Sequence, residues 1–431
     1  MKTLFATFLG ALALCAQAAP MFRGDAAHTG LYDADGPGEF HRVRWAFPTG
    51  NRVMSSPVMQ AGTLYFGSDD GSVYAVDAAS GRQVWKHATK GPVPATPAVV
   101  GDTLYVGSYD GHFYALNAAT GALRWKFATG GERHFEAKGL HGMTPTAQTF
   151  FDLYDLYLSS PVVVGDSVFF GSGDGHLYAL DRANGALRWK FKTGDVVHAS
   201  PAYAGGVLYF GSWDSYFYAV DAKTGQEKWR FHGGEDPVAH NQVGFQSSAA
   251  VVDGVVYVGC RDSNFYAIDA ATGKELWRVN NAGSWVITSP AVVDGRVIFA
   301  TSDTALFYIV DAHTGKEIGK QQAKAYMFGS PAVARGVVYQ PLTNGMLDAR
   351  NAANGELLWT FRTETSKENA GWALTSDGRF NMPLLFPSNN GEESIRGAGK
   401  QFATGSMFSS PLVANNTVYI GSTDGNLYAI E

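Results

Sequence analysis

One phrase recurs along most of this chain and constrains its fold more than any other feature. It reads "GSDDGSVYAVDAASGRQVW" from Gly67 to Trp85 and returns as "GSYDGHFYALNAATGALRW" and "GSGDGHLYALDRANGALRW". The copies can be aligned on the acidic or amide residue that ends "VYAVD" and its variants. The aligned residues are Asp77, Asn117, Asp181, Asp221, Asp269, Asp311, Asn351 and Glu431. The chain therefore holds eight units, and a repeat of this kind overrides a domain count based on length.

Each unit carries the signals of four short strands. "TLYFGS", "SVYAVDA" and "QVWKHA" are rich in β-branched and aromatic residues, and Asp-Gly and Ser-Gly or Thr-Gly turns separate them. A further short run follows each "SSP". The repeat length, 40 residues from Pro57 to Pro97, is typical of a propeller blade when four strands fill it, whereas a helical solenoid would show apolar spacing of 3.6. The sequence predicts an all-β, eight-bladed β-propeller of four-stranded antiparallel blades.

A tryptophan stands eight positions after the aligned residue in most units and is predicted to have a structural docking role. These residues are Trp85, Trp125, Trp189, Trp229, Trp277 and Trp359. The sixth unit has Gly319 instead, and the eighth ends at Glu431 before its tryptophan segment. "VRWAFPTG" near the N-terminus supplies that segment with Trp45. The N-terminal strand is therefore expected to complete the last blade and close the ring, which removes exposed sheet edges.

The pattern Ala-x-Asp-x-x-x-Gly-x-x-x-Trp resembles the tryptophan-docking repeat of the pyrroloquinoline quinone (PQQ) repeat propellers. The resemblance covers nearly all of the chain after the first residues. That family includes PQQ-dependent alcohol dehydrogenases and the propeller subunit of the outer-membrane β-barrel assembly machine, to which this chain is closest in size. The repeat thus implies the fold and leaves the function open.

The first residues are typical of a secretory signal. Lys2 precedes an apolar stretch from Leu4 to Cys15, followed by small residues up to Ala18. We expect residues 1–19 to be a signal peptide and 20–431 to be a single propeller, periplasmic or secreted. A lipid anchor is less expected because Leu14, a large residue, precedes the cysteine.

Composition excludes several classes of function. The formal net charge of −6 offers no basic surface for nucleic acid, and no later segment is apolar for long enough to form a transmembrane helix.

Without the signal, Cys260 is the single thiol, so no intrachain disulfide is expected. A closed propeller with protected edges has little need to associate, and a monomer is expected.

Three irregularities in the spacing locate loop insertions. They cover about 131–157, 232–245 and 364–400. Each connects the outermost strand of one blade to the innermost strand of the next, so all three emerge on the same side of the propeller. Long loops in a repetitive scaffold are usually functional, and this side, the decorated face, is the predicted binding face.

Six residues outside the repeat are the candidates for that binding face. They are Trp213, Trp285, Trp372, His134, His141 and His240. Exposed tryptophans are enriched in binding surfaces, but the same side chains could instead anchor the insertions. The histidines lack the spacing of a zinc motif, so no metal site is predicted. The aspartates of the "GSxDG" turns recur in nearly every blade and are interpreted as turn residues.

Two classes of function fit the resemblance. The favoured one is a non-catalytic scaffold without a cofactor that binds a periplasmic or outer-membrane protein, of the envelope-assembly type. The alternative is a dehydrogenase with PQQ and calcium, which would act on an alcohol or a sugar. The chain has no adjacent cysteine pair and no "CxxCH" haem segment, and it is shorter than those enzymes. A propeller that binds a small ligand or glycan is a third possibility, and the sequence leaves enzyme status open.

Overall fold

A computed structural model of the chain describes residues 20–139, 147–234, 244–388 and 390–431. The predicted signal peptide, His141 and His240 lie outside the described residues. The predicted eight-bladed propeller is confirmed, with eight antiparallel four-stranded blades in the described residues. None of the described helices is long and apolar enough to cross a membrane.

The strands follow the repeat, blade by blade. Two N-terminal strands are β1 (Leu31–Tyr32) and β2 (Val43–Pro48). Blade 1 contains β3 (Val58–Gln60), β4 (Thr63–Ser68), β5 (Ser72–Asp77) and β6 (Gln83–Ala88), and blade 2 contains β7 (Ala98–Val100), β8 (Thr103–Ser108), β9 (His112–Asn117) and β10 (Leu123–Ala128). A separate hairpin contains β11 (Glu136–Ala137) and β12 (Phe150–Phe151). Blade 3 contains β13 (Val162–Val164), β14 (Ser167–Gly171), β15 (His176–Asp181) and β16 (Leu187–Lys192), and blade 4 contains β17 (Ala202–Ala204), β18 (Val207–Gly211), β19 (Tyr216–Asp221) and β20 (Glu227–His232).

The second half repeats the same plan. Blade 5 contains β21 (Ala250–Val252), β22 (Val255–Gly259), β23 (Asn264–Asp269) and β24 (Glu275–Asn280), and blade 6 contains β25 (Ala291–Val293), β26 (Arg296–Ala300), β27 (Leu306–Asp311) and β28 (Glu317–Gln322). Blade 7 contains β29 (Ala332–Ala334), β30 (Val337–Pro341), β31 (Met346–Asn351) and β32 (Leu357–Arg362). Blade 8 contains β33 (Leu412–Ala414), β34 (Thr417–Gly421) and β35 (Asn426–Ile430). Three helices precede blade 8: α1 (Glu364–Glu368), α2 (Met382–Leu385) and α3 (Gly391–Phe402).

The ring closes as the sequence predicts. Strand β2 pairs antiparallel with β35, and Trp45 lies opposite Ala429 in that register. The amides of His41 and Arg42 also donate to the carbonyl of Glu431. The first and last segments of the chain therefore share one blade, and no outermost strand is missing. In addition, β1 pairs in parallel with β29, so blade 7 gains a fifth strand.

The repeat tryptophans join each blade to the next. Six of the indole Nε1 atoms donate to a backbone carbonyl of the following blade: Trp45 to Ala78, Trp85 to Ala118, Trp125 to Arg182, Trp189 to Ala222, Trp229 to Ala270 and Trp277 to Ala312, at 2.8–3.2 Å. The seventh, Trp359, donates to the carbonyl of Pro37 in the N-terminal segment at 3.0 Å. Each of the seven tryptophans thus makes one hydrogen bond to a segment outside its own blade.

A second set of contacts joins the blades around the central channel. The hydroxyl at the start of each innermost strand accepts a hydrogen bond from the backbone amide of the equivalent residue in the preceding blade, at 2.8–3.2 Å. We call this set the hydroxyl ring; its members are Ser56, Thr96, Ser160, Ser200, Ser248, Ser289, Ser330 and Ser410. The last bond, from the Ser410 amide to the Ser56 hydroxyl, closes the circle.

The N-terminal segment crosses the channel on the side away from the insertions. Its carbonyls accept bonds from the free edges of the innermost strands. The amides of Val99, Tyr203, Val251, Val292 and Val333 donate to the carbonyls of Pro20, Ala26, Ala27, Thr29 and Gly30. This N-terminal crossing therefore satisfies backbone groups that would otherwise face the channel.

Tryptophan docking can be tested with two glycines that share a left-handed backbone. Gly185 (φ +74°) and Gly165 (φ +55°) both carry a strain cost when replaced by alanine, about 1–2 kcal/mol. A Cβ at Gly185 would lie 2.5 Å from the Trp125 ring, whereas a Cβ at Gly165 meets nothing within 4 Å. We expect Gly185→Ala to lower the free energy of urea unfolding by about 1–3 kcal/mol more than Gly165→Ala. Equal losses would show that the ring does not need this close approach.

Candidate functional site

Within the described residues, the decorated face carries most of the first and third insertions; 140–146 of the first and 235–243 of the second lie outside the described residues. The first forms the hairpin β11–β12, with Glu136 opposite Phe151. The third forms the three helices. Thr363 caps α1 by accepting from the Ser366 amide, and Asn390 caps α3 by accepting from the Glu393 amide. Capping side chains of these types start helices by satisfying free amides.

The end of the first insertion covers the channel on this face. Tyr154, Leu156 and Tyr157 pack against a buried cluster of Met54, Trp285, Ile287, Phe328 and Phe408. The Tyr157 hydroxyl donates to the carbonyl of Phe408 at 3.0 Å, and the Tyr154 hydroxyl donates to Oε1 of Gln401 at 3.1 Å. The aromatic end of this insertion is thus folded onto the scaffold as a plug, and both hydroxyls have partners.

A buried ion pair fixes the plug to blade 5. Nη1 of Arg261 lies 2.5 Å from Oδ2 of Asp152, and both side chains are fully buried. The guanidinium lies between the rings of Trp213 and Trp285, with Cζ 4.1 and 3.9 Å from the two ring centres. Its Nε and Nη2 donate to Oε1 of Gln246. Burial of the Arg261 charge is tolerated because the guanidinium is paired with a carboxylate, hydrogen-bonded to an amide oxygen and stacked between two rings.

A second charged cluster holds the start and end of the first insertion to blade 4. Nδ1 of His198 lies 2.6 Å from Oδ1 of Asp155, and its Nε2 lies 3.7 Å from Oε2 of Glu132. Glu132 in turn accepts from the Ser172 hydroxyl and the Gly173 amide. Burial by itself lowers the pKa of His198, but the two carboxylates outweigh it and raise the pKa to about 10. His198 is therefore an imidazolium at neutral pH.

The structure places the predicted site residues in different environments. Trp213 and Trp285 are each 1% exposed, so their interpretation as exposed binding side chains is wrong. Trp213 stacks on Phe135 with ring centres 4.5 Å apart, and Trp285 contacts Tyr154, so both anchor the first insertion. Nδ1 of His134 lies 3.0 Å from the carbonyl of Asp155, within the same anchoring network.

Only one of the three tryptophans, Trp372, reaches the surface, with 44% of its area exposed. Met382, Leu384 and Ile395 are also large apolar side chains exposed on this insertion. The Asn381 side chain donates to the Trp372 carbonyl, and helices α2 and α3 contact each other within the same insertion. We call this set of four side chains the apolar patch.

A cavity of about 160 Å³ opens beside the apolar patch. Its walls combine the plug, blades 6 and 7 and the third insertion; they include Tyr154, Trp285, Tyr326, Phe328, Met382 and Phe386. The Tyr326 hydroxyl donates to the sulfur of Met382 at 3.4 Å. Aromatic walls with few polar groups suit an apolar side chain or a small ring.

Comparison with known proteins supports the predicted resemblance. The family model described as outer membrane protein assembly factor BamB matches residues 30–138, 155–278 and 261–382. The chain belongs to this BamB-type family of PQQ-repeat propellers. No curated protein sequence matches the chain.

Solved structures similar to this BamB-type propeller share its fold. BamB from Moraxella catarrhalis is 16% identical, with 90% of this chain and 99% of that chain covered and a TM-score of 0.66. A europium-containing methanol dehydrogenase is 14% identical, with 94% and 91% covered and a TM-score of 0.67. Quinohemoprotein alcohol dehydrogenase from Comamonas testosteroni is 14% identical, with 97% and 81% covered and a TM-score of 0.68. Identities this low show the fold alone.

Protein side chains occupy the channel mouth on the decorated face. Calcium takes six to eight oxygen ligands, and the described residues contain no group of three or more His, Cys, Asp or Glu side chains that could hold a metal ion. The space between the Trp213 and Trp285 rings is filled by the Arg261 guanidinium. Burial also raises the pKa of the Cys260 thiol well above its ordinary value, so this BamB-type chain presents no reactive thiolate there.

The ion pair of Arg261 and Asp152 can be tested with a double-mutant cycle. Arg261→Met leaves a buried carboxylate without its partner and is expected to lower the free energy of unfolding by about 3–5 kcal/mol. Asp152→Asn on top of it should recover part of that loss, because the uncompensated charge is gone. Urea unfolding of the four proteins gives the coupling energy. A loss that Asp152→Asn does not relieve would show that charge pairing is not the cause.

The charge of His198 predicts a dependence of stability on pH. Its pKa in the folded chain, about 10, is higher than the ordinary value of 6.5. The stabilisation from the imidazolium is therefore present in full below pH 6.5 and is lost as the pH rises toward 10. We expect the difference in unfolding free energy between the wild type and His198→Gln to shrink between pH 6.5 and 9 in urea titrations. A difference that stays constant over this range would contradict the prediction.

Proposed function

We propose that this chain is a non-catalytic propeller of the cell envelope that binds a protein partner through its decorated face. The observation that carries the proposal is the apolar patch, one member of which, Met382, also lines an aromatic cavity. Large exposed apolar patches with polar rims are typical of protein interaction sites. Trp, in particular, is enriched among the residues that dominate binding energy.

The construction of the face supports binding rather than turnover. The plug and its two buried charged clusters close the channel and fix the first insertion to blades 3, 4 and 5. A rigid base of this kind lowers the ordering cost that association would otherwise carry. The apolar patch lies on the third insertion, outside the plug, so a partner can reach it without opening the scaffold.

The class of partner follows from the family and from the first residues. The matching family is described as an outer membrane protein assembly factor, and residues 1–19 have the pattern of a secretory signal. We infer a periplasmic location and a partner among the proteins of outer-membrane assembly. The chain itself is expected to be a monomer in the absence of that partner.

Site-specific crosslinking tests the binding face. A photoreactive phenylalanine analogue is placed at Trp372 or Ile395, and at Leu187 as a control with a similar exposure of 47% on the outermost strand of blade 3. We expect crosslinks to one outer-membrane assembly protein from the two patch positions and none from Leu187. Trp372→Ala should reduce the crosslink from position 395 by roughly tenfold, as for an anchor residue. Equal crosslinking from all three positions, or none from the patch, would refute the proposed face.

The alternative quinoprotein function has a direct test. The chelator-treated protein is titrated with PQQ and calcium while quinone absorbance and tryptophan fluorescence are recorded. The proposal predicts no saturable binding at high micromolar concentrations. Tight one-to-one binding would overturn it in favour of a dehydrogenase-like quinoprotein, and saturable quenching by a sugar alone would favour the glycan-binding alternative.

A further inference from the structure

The cavity beside the apolar patch has aromatic walls on more than one side. The rings come from the plug, from the connections on either side of blade 6 and from the third insertion; they belong to Tyr154, Trp285, Tyr326, Phe328 and Phe386. The rings of Tyr154 and Trp285 meet edge to face, at 77° with centres 6.3 Å apart, and the centres of Tyr154 and Phe328 are 5.3 Å apart. Protein binding at the apolar patch does not by itself account for such a box of rings.

The charge on the lining is negative. Asp152 and Asp303 line the cavity, and no Lys, Arg or His stands among its described lining residues. Arg261 balances Asp152 in a buried pair but is not itself a lining residue. Asp303 is exposed and brings a second carboxylate to the solvent side of the lining. The lining therefore disfavours an anion, whereas a cation meets carboxylates and rings.

Aromatic rings favour a cation of a particular class. The face of an aromatic ring attracts positive charge electrostatically, and cages of such rings hold quaternary ammonium groups. A primary ammonium brings three N–H donors and a guanidinium brings five, and each donor needs an acceptor once it is buried. Of the acceptors here, Oδ1 of Asp152 already accepts from the Tyr154 amide and Oδ2 from Arg261. A quaternary ammonium has no N–H donor and needs none of these acceptors.

The size and the position of the cavity suit the same class. Its volume is about 160 Å³, and an apolar cavity of about 150 Å³ holds benzene, which is similar in size to a trimethylammonium group. Met382 is 40% exposed and also lines the cavity, as does the exposed Asp303. A small compound can therefore enter from solvent.

We propose that this cavity binds a free, small quaternary ammonium compound through its trimethylammonium group. The rings attract the charge, Asp303 adds attraction from the solvent side, and the methyl groups bury apolar surface against Met382 and Phe386. The site goes beyond the partner-binding proposal. Because the compound needs no protein partner to bind, either proposal can fail while the other stands.

Calorimetric titration with a matched pair of compounds tests the class of ligand. The full chain is titrated at constant ionic strength with choline and with neohexyl alcohol, the neutral isostere in which carbon replaces the choline nitrogen. We expect choline to bind at one site and roughly tenfold more tightly than the alcohol, since only choline carries the charge that the rings attract. The titration contains no lipid and no protein partner, so saturable binding is recognition of the free compound.

Two outcomes of this titration would overturn the proposal. Equal affinities for choline and neohexyl alcohol would show that the cavity selects apolar surface and not charge. The absence of saturable choline binding would show that the cavity holds no such ligand. Neither outcome bears on the crosslinking from Trp372 and Ile395, which tests the protein partner separately.

A ring variant locates the binding. Phe386→Leu keeps an apolar side chain in the lining and removes one ring, so choline affinity is expected to fall roughly fivefold. Phe402→Leu is the control, because Phe402 lies on the same insertion and is also half-buried but does not line the cavity. A wild-type unfolding midpoint shows that each variant is folded.

A charge variant completes the test. Asp303→Asn should weaken choline binding by roughly threefold, as for a partly exposed charge pair, and leave the affinity for neohexyl alcohol unchanged. Glu317→Gln is the control, because it removes the same charge from an exposed position on β28 of the same blade, outside the cavity lining. Identical choline affinity in the wild type and in all four variants would place the binding elsewhere and refute the proposal.

Discussion

The whole ring depends on the hydrogen bonds that join neighbouring innermost strands. An innermost strand pairs with its own blade along one edge only, and its other edge faces the channel. The amide-to-hydroxyl bonds of the hydroxyl ring satisfy one group of that edge in every blade, and the N-terminal crossing satisfies a second group in five blades. Each such bond contributes only about 1 kcal/mol. Together they set the inner radius, because eight identical links of 2.8–3.2 Å close only if the blades are equally spaced.

The contacts of the repeat tryptophans with the next blade depend on that inner radius. A tryptophan on the outermost strand can reach the next blade only at one separation, and there its ring lies over a turn glycine. At Gly121 and Gly185 a Cβ would stand 2.7 and 2.5 Å from the ring, so only glycine permits the approach. The sequence shows both partners of this contact at a fixed spacing, and for that reason the fold and the docking residues could be predicted from the repeat.

The candidate site could be predicted only in part, because its contacts join residues that no period relates. Trp213 and Trp285 stand at the decorated face, where a bare propeller would expose them. Phe135 and Arg261 cover Trp213, and Arg261 in turn is held by Asp152, which lies 109 residues earlier in the chain. Likewise, Trp359 finds its acceptor at Pro37, 322 residues away. Local patterns place a side chain on a face but do not show what packs over it.

One signal in the sequence does mark these contacts. In the "GSxDG" turns of blades 2 to 5 and their variants the first Gly and the Asp repeat, whereas the residue x is Tyr109, Gly173, Trp213 and Arg261. The first insertion contacts all four in turn, through His134, Glu132, Phe135 and Asp152. A repeat fixes residues that build the scaffold, so a position that differs in all four of these blades is where an insertion can be recognised. The third insertion is also joined to the scaffold outside the repeat positions, since the hydroxyl of Tyr326, between blades 6 and 7, donates to the sulfur of Met382 in the apolar patch.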